Sequence, residues 1–150
     1  DFGGTRATWS PSSVYRTTVV TNAGPEGRAA LRIDYAKSGE GDSGKAITVS
    51  PGITNWSRFH SVALWARGSG ALLLRLADGA GRSFDVGTCE LAAKDGWKHI
   101  FFNIQANLNP KNCWEPRYDK RDIREMSFLI EPGKTDCTGT MFLGSIILTE

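Results

Sequence analysis

The segment that concentrates aromatic and charged side chains runs from Cys113 to Tyr118. It places Trp114 and Tyr118 beside Glu115 and Arg117 in a stretch that no strand pattern requires. An aromatic ring can stack on a flat apolar surface, and guanidinium or carboxylate groups can hydrogen-bond hydroxyls bidentately. The segment therefore predicts a binding surface with Trp114 as its best candidate, and packing of Trp114 onto the body of the protein is the alternative.

Side chains typical of catalytic or metal sites are sparse. The three cysteines, Cys89, Cys113 and Cys137, form no Cys-x-x-Cys pair, and the two histidines, His60 and His99, lie far apart. The sequence contains no nucleophile elbow, phosphate-binding loop, His-Glu-x-x-His motif or dinucleotide-binding fingerprint. We therefore expect a protein that is not an enzyme, with structural roles for both histidines.

The composition is that of one globular domain. The chain has 150 residues, of which 40% are hydrophobic and 23% are charged, and its net charge is +2. The length suits a single domain, and the nearly balanced charge does not indicate nucleic acid as the main partner. The longest apolar run, residues 62–66, is far shorter than a membrane span. Because the chain begins at Asp1, we expect a processed protein or an excised domain.

Short stretches with alternating apolar residues predict β-strands along the whole chain. In residues 71–77, for example, Leu72, Leu74 and Leu76 share one face. Many short strands without a convincing helix predict an all-β fold, an antiparallel sandwich or barrel. The segment 105–122 is the longest irregular stretch, and a loop of this length is usually functional. About eight main strands are predicted, over residues 29–35, 46–49, 61–67, 71–77, 83–86, 97–104, 124–131 and 141–148.

The order of these motifs resembles that of β-jelly-roll carbohydrate-binding modules with a galactose-binding-like fold. The similarity rests on Asn-Trp-Ser-Arg-Phe at 55–59 before a strand, the alternating leucines of 72–78, Asp-Gly-Trp-Lys at 95–98 and Ile-x-x-Met-x-Phe-x-Ile at 123–130. It spans nearly the whole chain, 1–150, as one domain. It implies a jelly roll of two sheets and a non-catalytic module that targets an attached enzyme to a polysaccharide, such as a β-glucan or another plant or algal glycan.

The resemblance also implies the partners and cofactors. The domain would be extracellular and monomeric, linked to a catalytic domain, and without nucleic-acid or membrane partners. No cofactor is required, although related modules often hold a structural calcium ion through an Asp in a Tyr-Ile-Asp-Asp-Ile strand. Here residues 142–146 carry no carboxylate. Asp1 and Asp42 could supply oxygen ligands, so a structural calcium ion stays open.

In the resembling modules, sugar rings lie on the concave outer face of the sheet that corresponds to residues 46–49, 71–77, 83–86 and 124–131. Residues between the inward-pointing apolar ones face outward. This places Leu73, Leu129 and either Phe84 or Asp85 on the face, and the 105–122 segment along its rim. An ion pair between Arg75 and Glu131 is the alternative to a ligand-binding role for them. The predicted carbohydrate-binding residues are Trp114, Tyr118, Arg117, Arg75, Glu131, Asp85 and Ser127.

The strand order of a jelly roll also predicts at which end of the sandwich each cysteine lies. It puts Cys89 and Cys137 in connections at the same end of the sandwich, and Cys113 at the opposite end. If a disulfide forms, the expected pair is Cys89–Cys137, with Cys113 free.

Two other functions stay open. A structural or protein-interaction spacer of a multidomain secreted enzyme would use the 105–122 segment for docking. A small glycoside hydrolase would need two carboxylates about 5–9.5 Å apart, for which Glu131 and Asp85 are the candidates. A polysaccharide lyase would need a Tyr/His/Arg set, but His99 is predicted on the other sheet. An acidic glycan also stays open because of several basic residues: Arg75, Arg82, Lys111, Arg117 and Lys120.

Overall fold

The structure is a computed structural model that describes residues 15–36, 45–105, 119–131 and 138–150. These ranges form an antiparallel β-sandwich and contain no α-helix. The strands are β1 (Tyr15–Val20), β2 (Ala30–Ala36), β3 (Lys45–Val49), β4 (Ser61–Gly68), β5 (Gly70–Asp78), β6 (Ser83–Leu91), β7 (Lys98–Asn103), β8 (Ile123–Glu131) and β9 (Thr138–Thr149). The predicted all-β sandwich is therefore confirmed.

The strands form two sheets. The five-stranded sheet has the order β1-β2-β9-β4-β7, and the four-stranded sheet has the order β3-β8-β5-β6. The four-stranded sheet contains the same four segments that were predicted to share the outer face, so that prediction is confirmed. The chain between β7 and β8 passes from one sheet to the other, also as predicted.

Two strands differ from the sequence prediction. Strand β1 was not predicted, because its sequence, Tyr-Arg-Thr-Thr-Val-Val, lacks a clear alternation. It forms by pairing with β2 at the edge of the five-stranded sheet, where Val19 stays 61% exposed. Strand β6 was predicted to end at Val86 but continues to Leu91, because its backbone keeps pairing with β5 beyond Gly87.

The core lies between the two sheets and is built from the inward faces of their strands. Leu72, Leu74 and Leu76 of β5 are at most 1% exposed, as the alternation predicted. Trp56 precedes β4 and is 1% exposed within the same cluster. Its indole Nε1 donates to the Ile53 carbonyl oxygen at 2.6 Å, so the one polar atom of this large side chain is satisfied.

Cys89 is a free thiol, so the pair Cys89–Cys137, which was predicted if a disulfide forms, is not made. Cys89 forms no bridge in the structure, and its Sγ donates to the Glu90 carbonyl oxygen at 3.7 Å. The residue lies inside β6 opposite Leu72, not in a connection, so its side chain faces inward and packs against the core. Cys113 and Cys137 lie outside the described residues.

Candidate functional site

Cross-strand pairing arranges the outward side chains of the four-stranded sheet in rows. Residues that stand opposite each other on antiparallel strands point to the same side of a sheet. One row therefore crosses the four strands as Thr48, Ser127, Arg75 and Asp85. We call this surface the outer face. Its described side chains are Thr48, Ala71, Leu73, Arg75, Ala77, Ser83, Asp85, Thr88, Glu90, Glu125, Ser127, Leu129 and Glu131.

A bulge in β6 decides which of two adjacent residues faces outward. Leu74 pairs with Gly87 but Arg75 pairs with Asp85, so Val86 is the extra residue in β6. Phe84 stands opposite the buried Leu76 and therefore points into the sandwich. Asp85, not Phe84, belongs to the outer face.

A bidentate ion pair joins the two charged residues of the central row. Arg75 Nε donates to Asp85 Oδ1 at 2.5 Å, and Arg75 Nη2 donates to Oδ2 at 3.2 Å. Hydrogen bonding to Asp85 raises the pKa of Arg75, burial opposes this, and the charges of Asp85, Glu125 and Glu131 raise it further. Both side chains keep about a third of their surface exposed, 31% and 32%, so the pair is a rigid polar fork that a ligand can reach.

Glu131 does not pair with Arg75, so the ion pair considered from the sequence is wrong. Glu131 stands opposite Ala71, four residues along β5 from Arg75. At about 3.3 Å per residue the two backbone positions lie about 13 Å apart. Glu131 is exposed and marks the other end of the outer face.

Ser127 is completely buried although it lies on the outer face. Its Oγ donates to Glu125 Oε1 at 2.7 Å and lies 3.4 Å from Thr48 Oγ1. In this arrangement Ser127 orients the Glu125 carboxylate rather than facing solvent. Glu125 was not among the residues predicted from the sequence, although its position two residues before Ser127 places it on the same side of the strand.

An apolar strip separates the polar rows. Leu73 and Leu129 stand opposite each other in the next row and are 9% and 4% exposed. Thr88 continues this row at the β6 edge of the sheet. Because both leucines are buried, the accessible groups of the outer face are the charged fork on one side of them and the Glu131 row on the other.

A second polar network lies at the end of the four-stranded sheet, where β5 turns into β6. Asp78 is 3% exposed and accepts hydrogen bonds from the backbone N–H groups of Ala80, Arg82 and Asp119 at 3.0, 3.1 and 3.2 Å. Arg82 Nε and Nη2 reach Asp78 Oδ2 at 2.7 and 2.6 Å. Burial raises the pKa of Asp78, but these hydrogen bonds lower it more, so its pKa lies below the ordinary value.

This network anchors the end of the long segment that precedes β8. Besides the Asp119 contact, Trp56 N–H donates to the Lys120 carbonyl oxygen at 2.7 Å, and Gly79 N–H donates to the Asp122 carbonyl oxygen at 2.9 Å. The segment therefore returns beside the β5–β6 turn, three residues beyond Arg75 along β5. Trp114, Arg117 and Tyr118 lie outside the described residues, and their contact with a ligand stays a prediction.

Carboxylates predominate among the described side chains of the outer face. Asp85, Glu90, Glu125 and Glu131 stand against the single guanidinium of Arg75. Two basic residues that had left an acidic ligand open are engaged elsewhere. Arg82 is paired with the buried Asp78, and Lys120 Nζ donates to the Phe59 carbonyl oxygen at 2.8 Å.

The described ranges do not bring together three or more His, Cys, Asp or Glu side chains in a group that could hold a metal ion. The 142–146 stretch lies in β9, where Gly144 packs closely against Trp65 and Pro25. Asp1 and Asp42, the other candidate calcium ligands, lie outside the described residues. Within the described part of the chain no helix has the length and apolar character that a membrane crossing requires.

Comparisons with solved structures find this sandwich in carbohydrate-binding modules. A family 11 module of a cellulosomal cellulase of Clostridium thermocellum is 12% identical, with a TM-score of 0.62 and coverage of 97% of this chain and 94% of that one. A family 29 module is 13% identical, with a TM-score of 0.55 and coverage of 95% and 88%. An exo-β-agarase is 13% identical, with a TM-score of 0.60, and the match covers 93% of this chain and 24% of the agarase.

No protein-family model and no curated protein sequence matches the chain. At 12–13% identity the structural matches establish the fold. The chain therefore has the jelly-roll β-sandwich fold of these modules, as the sequence resemblance implied.

Proposed function

We propose that this domain, which shares its fold with carbohydrate-binding modules, is itself a non-catalytic module that holds an attached enzyme on a neutral polysaccharide. The observation that carries the proposal is the Arg75–Asp85 fork, whose two side chains stay 31% and 32% exposed on the outer face. The hydroxyl-bearing edges of sugar rings suit this fork, and their apolar C–H faces would meet the predicted platform of Trp114 and Tyr118.

The fork supplies directional hydrogen bonds to hydroxyl groups. Two of the guanidinium's five N–H groups bond to Asp85, which fixes the plane of the remaining donors. The carboxylates of Glu125 and Glu131 add acceptors on either side of the fork. A site of this size, with few buried contacts, is expected to bind in the micromolar to millimolar range.

The charge of the outer face favours a neutral glycan over an acidic one. Its described side chains include four carboxylates and one guanidinium, which already contacts one of those carboxylates. A uronic-acid or sulfated chain would meet net like charge along its whole length, which weakens association. A β-glucan or another plant or algal glycan without charged groups fits the face better.

Two features support a binding function rather than hydrolysis. Asp85 and Glu131, the two candidate carboxylates, lie on β6 and β8 with β5 between them and are offset by four residues. Their backbone positions are therefore about 16 Å apart, beyond the roughly 5–9.5 Å that glycosidases use. His99, which a lyase would need on the outer face, lies on β7 of the other sheet.

The long segment before β8 would complete the site. It re-enters the described structure at Asp119, which is bonded to Asp78 at the end of the sheet nearest to the fork. We therefore propose that the residues directly preceding Asp119 in the sequence complete the site at this end of the outer face. In the proposed site Trp114 and Tyr118 supply aromatic platforms and Arg117 supplies a further donor.

The attached enzyme and the extracellular location also belong to the proposal. One structural neighbour is a module of a cellulosomal cellulase, and the match to an exo-β-agarase covers a quarter of that chain. This is the arrangement expected of a targeting domain. A single monomeric domain that binds one strand of polysaccharide needs no further partner.

Affinity electrophoresis tests the proposal. Gels would contain either neutral polysaccharides (mixed-linkage β-glucan, xyloglucan, galactomannan, agarose) or acidic ones (pectate, alginate). We expect retardation in one or more neutral gels, reduced by Arg75→Met and by Trp114→Ala. Val19→Ala, an exposed site on β1 at the far edge of the other sheet, is the matched control. Circular dichroism melts verify that each variant folds.

Each alternative result has a distinct meaning. Retardation in acidic gels alone would overturn the neutral-glycan assignment. Retardation that Arg75→Met leaves unchanged would move the site off the outer face. Absence of retardation in every gel would reject the binding function and favour a structural or protein-interaction spacer.

A further inference from the structure

A groove runs along one side of the sandwich between the edges of the two sheets. Strand β6 is the edge of the four-stranded sheet, and β7 is the edge of the five-stranded sheet. Residues 86–89 and 98–103 line this groove, whose volume is about 580 Å³. This volume lies in the range of small-molecule binding sites. The groove is distinct from the Arg75–Asp85 fork, which is not among its lining residues.

The rim of the groove carries an exposed aromatic ring. Phe101 is 60% exposed, although it lies in the middle of β7. Its ring centroid lies 4.4 Å from that of His99, and His99 stacks on Trp65 at 4.6 Å with an interplanar angle of 9°. The core does not require Phe101, whose strand neighbours Ile100 and Phe102 supply the buried contacts. Phe101 therefore contacts His99 at a tilted angle of 57° and keeps much of its ring surface open to solvent at the groove.

The polar groups of the groove are suited to an uncharged ligand. Asn103 contributes an amide whose Oδ1 accepts from Gln105 N–H at 2.8 Å. Lys98 also lines the groove, but its ammonium is paired with Asp95 at 2.7 Å. An amide and an ion-paired ammonium beside an aromatic ring are partners for sugar hydroxyls and for the C–H face of a pyranose.

The same edges are poorly suited to an added peptide strand. Strand β6 carries a bulge at Val86 followed by Gly87, which interrupts the regular spacing of its backbone groups. Strand β7 is only six residues long and begins with Lys98. Bulges, short edge strands and edge lysines are features that oppose strand addition. A peptide is therefore a weaker candidate occupant than an oligosaccharide.

We propose that the β6–β7 groove is a second carbohydrate-binding site, which binds a short stretch of neutral glycan against Phe101 and Asn103 of β7. The inference rests on the proposed function, because it assigns to the groove the same class of ligand. Two weak sites on one domain can engage one polysaccharide together, and their combined affinity exceeds that of either site alone.

Backbone-amide NMR tests the second site directly. The ¹⁵N-labelled protein would be titrated separately with cellohexaose, mannohexaose and neoagarohexaose. We expect one group of shifting amides at 98–103, on the five-stranded sheet, and another along the outer face. Phe101→Ala should weaken binding at the groove by about tenfold, and Asn103→Ala, at a lining residue on the other sheet, should also weaken it. Both should leave the outer-face shifts unchanged, whereas Arg75→Met should do the reverse, and Val19→Ala should change neither.

The outcomes separate the two proposals. Shifts on the outer face alone would overturn the second site and leave the proposed function standing. Shifts in the groove alone would support the second site and overturn the outer-face assignment. No shifts with any of the three sugars would reject both. Line broadening without sugar that rises with protein concentration, and that Phe101→Ala removes, would identify a protein interface and overturn the second site.

Discussion

Asp78→Asn tests whether one buried carboxylate holds the candidate site together. Asp78 joins the β5–β6 turn to residue 119, the point where the long segment returns to the sandwich. An asparagine of the same shape can keep the Oδ1 contacts with the N–H groups of Ala80 and Arg82. It would place an amide NH₂ at the Oδ2 position, where Arg82 and the Asp119 N–H also donate. The substitution thus places one hydrogen-bond donor against another without changing the volume of the side chain.

The magnitude follows from the contacts at Oδ2. A hydrogen bond to a charged group contributes about 1.5–3 kcal/mol, and Arg82 makes two to this oxygen. Water offsets part of the loss, because the Arg82 side chain is 32% exposed. We therefore expect the free energy of unfolding to fall by about 3 kcal/mol. For a domain of this size that corresponds to a melting temperature lower by roughly 6–12 °C.

The difference between wild type and Asp78→Asn should depend on pH. The pKa of Asp78 in the folded protein lies below its ordinary value of 3.8. Its stabilising contribution is therefore fully present above pH 3.8 and is lost as the pH falls through the folded pKa. Guanidinium unfolding should be measured at several pH values. The difference in unfolding free energy between wild type and Asp78→Asn should be constant at pH 5–8 and become smaller below pH 3.8.

Two results would refute this reasoning. One is a melting temperature of Asp78→Asn within about 2 °C of wild type at pH 7. The other is a stability gap that does not narrow below pH 3.8. Asp95→Asn is the matched control, because its ion pair with Lys98 lies at the surface and its removal should barely change the melting temperature. Hydrogen exchange should accelerate at the Asp119 amide in Asp78→Asn alone.

Three further substitutions test the frame around the site. Gly68→Ala should lower the free energy of unfolding by about 2–4 kcal/mol in guanidinium unfolding. The reason is that Gly68 has φ +140° and the Thr140 carbonyl oxygen occupies the space of a Cβ. Near-wild-type stability would show that this backbone can relax. Trp56→Ala should cost about 3–5 kcal/mol by the same measurement, through the cavity left in the core, and a loss under about 1 kcal/mol would contradict its central packing. Ser127→Ala should cost about 1 kcal/mol and increase the mobility of the Glu125 side chain in NMR relaxation, and unchanged mobility would show that Ser127 does not orient it.

The sequence predicted most of the strands and their grouping into sheets. The alternating leucines of residues 71–77 show which side of β5 faces the core, because the period of two is a local property of an extended chain. The segments of the four-stranded sheet followed from jelly-roll order. Strand β1 was missed because pairing with β2 at a sheet edge, rather than its own pattern, makes it a strand.

The partners within the candidate site could not be predicted in the same way. Alternation placed Arg75 on the outer face but did not show that its partner is Asp85 rather than Glu131. The register of β8 on β5 places Glu131 opposite Ala71, and the bulge at Val86 places Asp85 opposite Arg75. Register and bulges exist only once two strands are aligned. Cys89 faces inward because β6 continues beyond the predicted end of its strand.

What the sequence alone determined is the direction in which most strand side chains point, since neighbouring residues in a strand must alternate between its two faces. What the tertiary structure alone decided is which of those side chains meet: the Arg75–Asp85 fork, the Asp78 network and the groove between β6 and β7. The physical reason is that register and the meeting of two sheet edges depend on backbone hydrogen bonds and packing between distant segments, which no local pattern encodes.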